Sequence, residues 1–280
     1  MPMTRLPSGS ASPEDQARSA VLLIAGEEVT FLQQAGPNIL HPLITAAGNA
    51  ASFLEGLSSG AWLTIGGFGM ADRTAVWFSE IAQGATALPT SLAGVTVRIN
   101  GREGHPSFVS PTQINVLAPD DPTVGRVAVE VKGPGGHSNR FDAYKRDISP
   151  ELFRYVPREG RHPAAVATDG ALIGPAGLFR TVTTRPAIPG EAIQLFGNGF
   201  GQTIPPTPTG ELVSEPRPLA LQPVVRVGGT TATVLYAGIV ASGLVQINIV
   251  VPDLPPGQYR IESFVDGRPL EDVADLAVGQ

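Results

Sequence analysis

The apolar positions of this chain fall in short runs that alternate with polar ones, and glycine or proline closes almost every run. Trp62-Leu63-Thr64-Ile65, Val95-Thr96-Val97-Arg98-Ile99, Gln113-Ile114-Asn115-Val116 and Gln246-Ile247-Asn248-Ile249 each put every second residue on one side of an extended strand. No stretch of comparable strength keeps the 3.6-residue period of an amphipathic helix, apart from a short turn expected over Arg73 to Glu80. Short strands at turn-delimited spacing predict a β-sandwich architecture.

The pattern also repeats, which is the strongest signal in the chain. Gly60-Ala61-Trp62-Leu63-Thr64-Ile65-Gly66-Gly67-Phe68-Gly69 lies over Gly190-Glu191-Ala192-Ile193-Gln194-Leu195-Phe196-Gly197-Asn198-Gly199. In nearly the same register, Val97-Arg98-Ile99-Asn100-Gly101 lies over Val225-Arg226-Val227-Gly228-Gly229, and Gln113-Ile114-Asn115-Val116 over Gln246-Ile247-Asn248-Ile249. The fold expected is therefore all-β, two tandem immunoglobulin-like β-sandwiches over residues 38–150 and 151–280, joined by the Pro-rich stretch from Ser149-Pro150 to Pro163. Residues 1–37 are expected to hold a disordered N-terminus followed by a strand hairpin in Val21 to Gly36. That hairpin is either a remnant of an upstream domain or a piece that packs on the module after it.

Composition narrows the functional classes. An apolar fraction of 42% against 16% charged residues is that of a folded chain, and 33 Gly with 27 Pro fit a turn-rich fold. A net charge of -6 with no basic run interleaved with aromatics gives nucleic acid no electrostatic footprint. The absence of cysteine removes disulfides, thiolate zinc sites and cysteine nucleophiles. No apolar run approaches the roughly 20 residues of a membrane-spanning helix, and no signal peptide is visible ahead of Arg18.

Candidate chemistry is correspondingly sparse. His41, His105, His137 and His162 lack the paired spacing of metal ligands, and no serine sits in a Gly-x-Ser-x-Gly elbow. Gly197-Asn198-Gly199-Phe200-Gly201 is mis-spaced for a dinucleotide loop and reads as a turn. Asp120-Asp121 and Asp266-Gly267 lack the spaced oxygen ligands of a calcium loop and read as solvated turn carboxylates. The amides of Gln113 and Asn115 share one strand face, where they either clamp a neighbouring loop's backbone or present a polar strip to a glycan. Trp77 and Arg73 are the candidates for glycan or partner contact. The competing expectation is a packing role for Trp77, with Arg73 stacked on its ring. No catalytic residue, cofactor or metal is expected.

Asn49-Ala50-Ala51-Ser52-Phe53, Gly60 to Ile65, Leu88-Pro89-Thr90-Ser91-Leu92-Ala93-Gly94-Val95, Ser110 to Val116, Asp169-Gly170, Gly174-Pro175 and Pro189-Gly190-Glu191 together resemble an uncharacterised C-terminal family of secreted acidobacterial proteins. The resemblance covers about residues 40 to 280 and implies paired immunoglobulin-like, IPT/TIG-like domains with no catalytic residues. The segment from Ile24 to Gly36 is similar to the closing strands of a small bacterial β-sandwich module. The expected function is a non-catalytic unit of a secreted or cell-surface bacterial protein, acting in spacing, docking or protein–protein interaction. A carbohydrate-binding module and an enzyme with a diffuse hydrolase site are the alternatives; the partner is an unidentified protein or glycan.

Overall fold

The computed structural model describes residues 18–24, 27–33, 41–155 and 161–279. The expectation of disorder over 1–17 and part of the Pro-rich junction lie outside these residues. Strands β1 (Arg18–Ile24) and β2 (Glu27–Gln33) form an antiparallel hairpin with Arg18 opposite Gln33.

The first module contains β3 (Leu43–Asn49), β4 (Trp62–Phe68), β5 (Ala75–Val76), β6 (Ser91–Leu92), β7 (Val95–Ile99), β8 (Arg102–Glu103), β9 (His105–Val109), β10 (Gln113–Leu117), β11 (Gly125–Gly133), β12 (Gly136–His137) and β13 (Phe141–Lys145). One sheet runs β3-β4-β10-β9-β5; the sheet facing it runs β12-β11-β7-β6, with β13 also on β11 and β8 on β7. The turn expected near Arg73 to Glu80 is a single 3-10 turn, Trp77–Ser79.

The second module contains β14 (Glu151–Leu152), β15 (Ala165–Ala167), β16 (Leu172–Ile173), β17 (Thr184–Arg185), β18 (Ala192–Asn198), β19 (Arg217–Pro218), β20 (Val224–Val227), β21 (Thr230–Thr231), β22 (Thr233–Ala241), β23 (Leu244–Val250), β24 (Gly257–Val265), β25 (Arg268–Pro269) and β26 (Ala274–Val278). Its order β15-β18-β23-β22-β19 reproduces β3-β4-β10-β9-β5, and β20 and β24 with their small partners reproduce β7 and β11. The match extends to register: Ile65 faces Ile114 as Leu195 faces Ile247. The repeat in the sequence is thus a duplicated fold.

Alternation explains both interiors. Leu63, Ile65, Ile114 and Val116 point inward from one sheet and meet Val95, Val97, Val129 and Val131 from the other. Ile193, Leu195, Ile247 and Ile249 meet Val225, Val227, Ile261 and Val265 in the same way. Each such side chain contributes roughly 1.5–3 kcal/mol when fully buried, so two separate sandwiches are sustained without disulfides.

The outward amides behave differently from the expected loop clamp. Gln113 Nε2 donates to Asn115 Oδ1 at 3.0 Å, and Gln246 Nε2 donates to Asn248 Oδ1 at 2.8 Å. Residues two apart on a strand share a face, and a glutamine is long enough to reach the asparagine beside it. Both copies bond along the strand instead of gripping a loop.

Because face decides cost here, Ile247→Ala should destabilise the chain by about 2–5 kcal/mol, and Gln246→Ala by under about 1 kcal/mol. Urea unfolding of both variants checks the register, and equal losses would contradict it.

Module junction and candidate interaction surface

One residue that joins the two modules is Asn198, at the end of β18. It is 0% exposed. Its Oδ1 accepts the Trp62 backbone N–H at 2.8 Å, while its Nδ2 donates to the Trp62 carbonyl at 2.8 Å and to Asn49 Oδ1 at 3.1 Å. One side-chain amide therefore satisfies both main-chain groups of Trp62, as a neighbouring strand would. Asn49 passes the contact on, donating from Nδ2 to the Ser149 carbonyl at 2.8 Å. Gly199 follows with φ +78, and a Cβ there would collide with the Ser149 carbonyl oxygen. The turn expected over Gly197 to Gly201 is replaced by strand: β18 runs through Asn198, paired to Glu151, and irregular chain follows from Gly199. The repeat carried the signal: Asn198 lies over Phe68, which is 57% exposed at the equivalent strand end. A polar residue replaces an apolar one where the chain is more deeply buried.

A second contact joins the Thr86 to Leu88 stretch to the second module. Leu88 N–H donates to the Gly210 carbonyl at 2.7 Å and Leu212 N–H to the Thr86 carbonyl at 2.8 Å, around an antiparallel bridge between Ala87 and Glu211. Asp120 accepts Thr209 N–H at 3.1 Å and its hydroxyl at 2.6 Å. Trp62 Nε1 donates to the Ser242 carbonyl at 3.0 Å. Beside that contact Gly243, at φ +71, leaves no room for a Cβ against the Trp62 indole and Leu117.

Of the turn carboxylates, Asp120 and Asp266 are exposed as expected, and Asp121 departs from the solvated reading. Asp120 ties the modules together, and Asp121 is buried at 6% exposure. Burial raises the Asp121 pKa, but the Thr123 N–H, the Asn100 amide, the Thr123 hydroxyl and the Lys145 charge outweigh it and leave the carboxyl below its usual range. Lys145, also buried, donates Nζ to the Asp121 and Thr123 carbonyls at 2.6 and 3.0 Å. Its pKa is lowered by burial, against the pull of nearby aspartates. A long-range partner on β13 is what makes burial of this turn affordable, and nothing local announces it.

Trp77 sits in the 3-10 turn, edge-on to Trp62 with ring centroids 5.4 Å apart and 81° between planes. Phe78 meets Trp77 edge-on at 5.3 Å. The expected stacking of Arg73 on Trp77 is replaced by a 3.6 Å ion pair between Arg73 and Glu80. Carboxylate attraction outcompetes the weaker indole face at this exposed position. Phe78 is 79% exposed, and Val76 is exposed beside it.

Glu151 is the most perturbed acid near the junction. It is 3% exposed and accepts backbone N–H groups from Glu271 and Asp272 at 3.0 and 3.2 Å. Burial, with some repulsion from Asp272 and Glu271, pushes its pKa up to about 7 despite those two donors. It lines a cavity of about 290 Å³ with Arg146, Ser149, Arg268 and Glu271. Arg146 pairs with Glu271, and Arg268 with Asp147 at 3.4 Å. Among the histidines, His105 Nδ1 lies 3.2 Å from the Leu88 carbonyl and His162 Nδ1 3.0 Å from the Asp275 carbonyl. Among the described residues no three His, Cys, Asp or Glu side chains converge as a metal site would require. No helix of the described residues is long and apolar enough to cross a membrane.

No protein-family model matches the chain, and no curated protein does. Among solved structures it is similar to SGBP-B of a Bacteroides ovatus mixed-linkage glucan utilization locus, determined with a mixed-linkage heptasaccharide: 13% identity, TM-score 0.36, covering 91% of this chain and 50% of that one. The chain thus spans half the length of that protein. It is also similar to domains 5–6 of the S-layer protein SbsC (12% identity, TM-score 0.25, covering 85% and 98%) and to a titin fragment, A168169 (11% identity, TM-score 0.23, covering 84% and 100%). These are likenesses of fold at low superposition, and no functional weight rests on them.

Two outcomes are expected at the junction. Asn198→Leu strands the Trp62 N–H and takes one of two donors each from the Trp62 carbonyl and Asn49 Oδ1, which keep the Ala50 and Ala51 N–H groups, and should lower stability by about 1–3 kcal/mol in urea unfolding. For Glu151, the folded pKa of about 7 lies above the ordinary glutamate value of 4.5, so the folded chain holds the proton more tightly. That contribution, on the order of 3 kcal/mol, is complete below about pH 4.5 and lost as pH rises through 7. The stability difference between the parent chain and Glu151→Gln should therefore vary with pH in that window, and a difference independent of pH would refute the assignment.

Proposed function

We propose that the chain is a non-catalytic pair of immunoglobulin-like modules belonging to a secreted or cell-surface bacterial protein, and that it holds other domains or partners at a preset angle. The observation that carries this reading is the amide lock of Asn198 on the Trp62 backbone, reinforced by the Ala87–Glu211 bridge. Modules joined only by a linker reorient freely unless an interface fixes them. Here separate contacts, at Trp62 and at Ala87, restrain rotation, which suits a spacer or docking unit better than a hinge. The non-catalytic part of the reading is supported by how the junction's ionisable groups are employed: Glu151 holds backbone N–H groups, and Lys145 holds carbonyls. Membership in the acidobacterial C-terminal family is part of the same proposal.

The chain has no cysteine, so a pair introduced at Arg126 and Arg260, both exposed on different modules, can be spin-labelled specifically. Pulsed electron-spin distance measurement should give one narrow distribution, broadened by Asn198→Ala. A broad distribution in the parent chain would defeat the preset-angle reading.

A further inference from the structure

We propose that the Trp77–Phe78 corner and the amide strip beside it form a binding platform for a neutral oligosaccharide, and that the second module holds this platform in position. The spacer role above neither requires nor implies such a site.

The platform is built in two parts. Its aromatic part is a relay of contacts: the Ser242 carbonyl takes the Trp62 indole N–H, Trp62 meets Trp77 edge-on, and Trp77 meets Phe78 edge-on. Ser242 is itself fixed, its hydroxyl donating to the Glu211 carbonyl at 2.7 Å and accepting Val213 N–H at 3.2 Å. The outermost ring, Phe78, is almost fully in solvent although its neighbours are held rigidly. Rigid exposed aromatics beside a polar rim mark contact sites more often than they serve stability.

The polar part lies on the same sheet face. Val76 pairs with Phe108, Phe108 with Asn115, and Asn115 with Thr64, and directly opposed residues share a face. Trp62, two residues before Thr64, points the same way. Asn115 Oδ1 accepts from both Gln113 Nε2 and the Thr64 hydroxyl, at 3.0 Å each. These two donors orient the Asn115 amide and, among the described residues, leave its Nδ2 hydrogens and Gln113 Oε1 without a hydrogen-bond partner, on half-buried side chains. One strip therefore offers two donors and an acceptor next to flat rings.

That combination matches a sugar. A pyranose with equatorial hydroxyls has an apolar C–H face for stacking and a rim of hydroxyls that donate and accept. Charge argues in the same direction. Val76, Phe108, Asn115, Gln113 and Thr64 carry no ionisable group, and the nearby Arg73 is neutralised by Glu80. An acidic chain would find no free cation on this strip. A protein partner needs about 800 Å² on each side, whereas the next row across the sheet, Trp62, Leu117 and His105, is taken up by Gly243 and Gly210 of the second module. The second module is different: its matching amides, Gln246 and Asn248, lie beside Tyr236, and the sequence has no tryptophan after Trp77.

The test uses the whole chain and three probes: cellohexaose and laminarihexaose, both neutral with equatorial hydroxyls, and a charged oligogalacturonate. Titration calorimetry and tryptophan fluorescence should show saturable binding of at least one neutral probe. Phe78→Ala and Trp77→Ala should each weaken it by about tenfold or more. Trp62→Phe keeps a ring but loses the Ser242 contact, and should weaken binding severalfold with an unchanged circular dichroism spectrum. Leu235→Ala, exposed on the second module, should leave affinity intact. Three results would overturn the proposal: no saturable binding of either neutral probe, undiminished binding by Phe78→Ala, or binding confined to the charged chain. Undiminished binding by Trp62→Phe would overturn the positioning role given to the second module.

Discussion

A buried amide cannot be left unsatisfied, and at Asn198 that constraint sets how the two halves of the molecule meet. With no water to turn to, its oxygen and nitrogen have to find main-chain partners, and those partners belong to the other module. A hydrophobic contact of the same area would tolerate sliding, because burial has no direction. Hydrogen bonds to both groups of one residue fix distance and orientation together. The position of Ser149, the fit of Gly199 and the approach of Gly243 to Trp62 all accompany this arrangement.

The segment between β4 and β7 is where the copies have diverged most usefully. In the first module it carries the 3-10 turn with Trp77, the exposed Phe78, and the Thr86 to Leu88 stretch that bridges to the second module. A single excursion of the chain therefore serves both the joint and the aromatic corner. Loops tolerate such elaboration because the paired sheets beneath already supply the stability. Duplication provided two sandwiches; the excursion makes them unequal.

Much of this was legible in the sequence. Strand positions, the inward and outward faces of Ile114 and Ile247, and the shared topology all followed from alternation and repetition, which are local properties. What escaped was long-range. Asp121 reads as a solvated turn acid until Lys145 is brought beneath it from β13. Arg73 reads as a partner for Trp77 because four residues separate them, whereas Glu80 offers a full opposite charge from beyond the turn. Asn198 sits in a run of glycines that says turn and says nothing of burial. The replacement of Phe68 by Asn198 between matched glycines was visible, but its meaning required knowing what lies above that strand end.

The lock grips Trp62 by its main chain alone, and every amino acid except proline offers the same two groups there. The amide lock is thus blind to the identity of the residue it holds, whereas the indole bond to the Ser242 carbonyl is not. Drift at position 62 keeps the first contact and gives up the second together with the aromatic corner, so part of the joint evolves apart from recognition and part of it evolves with it.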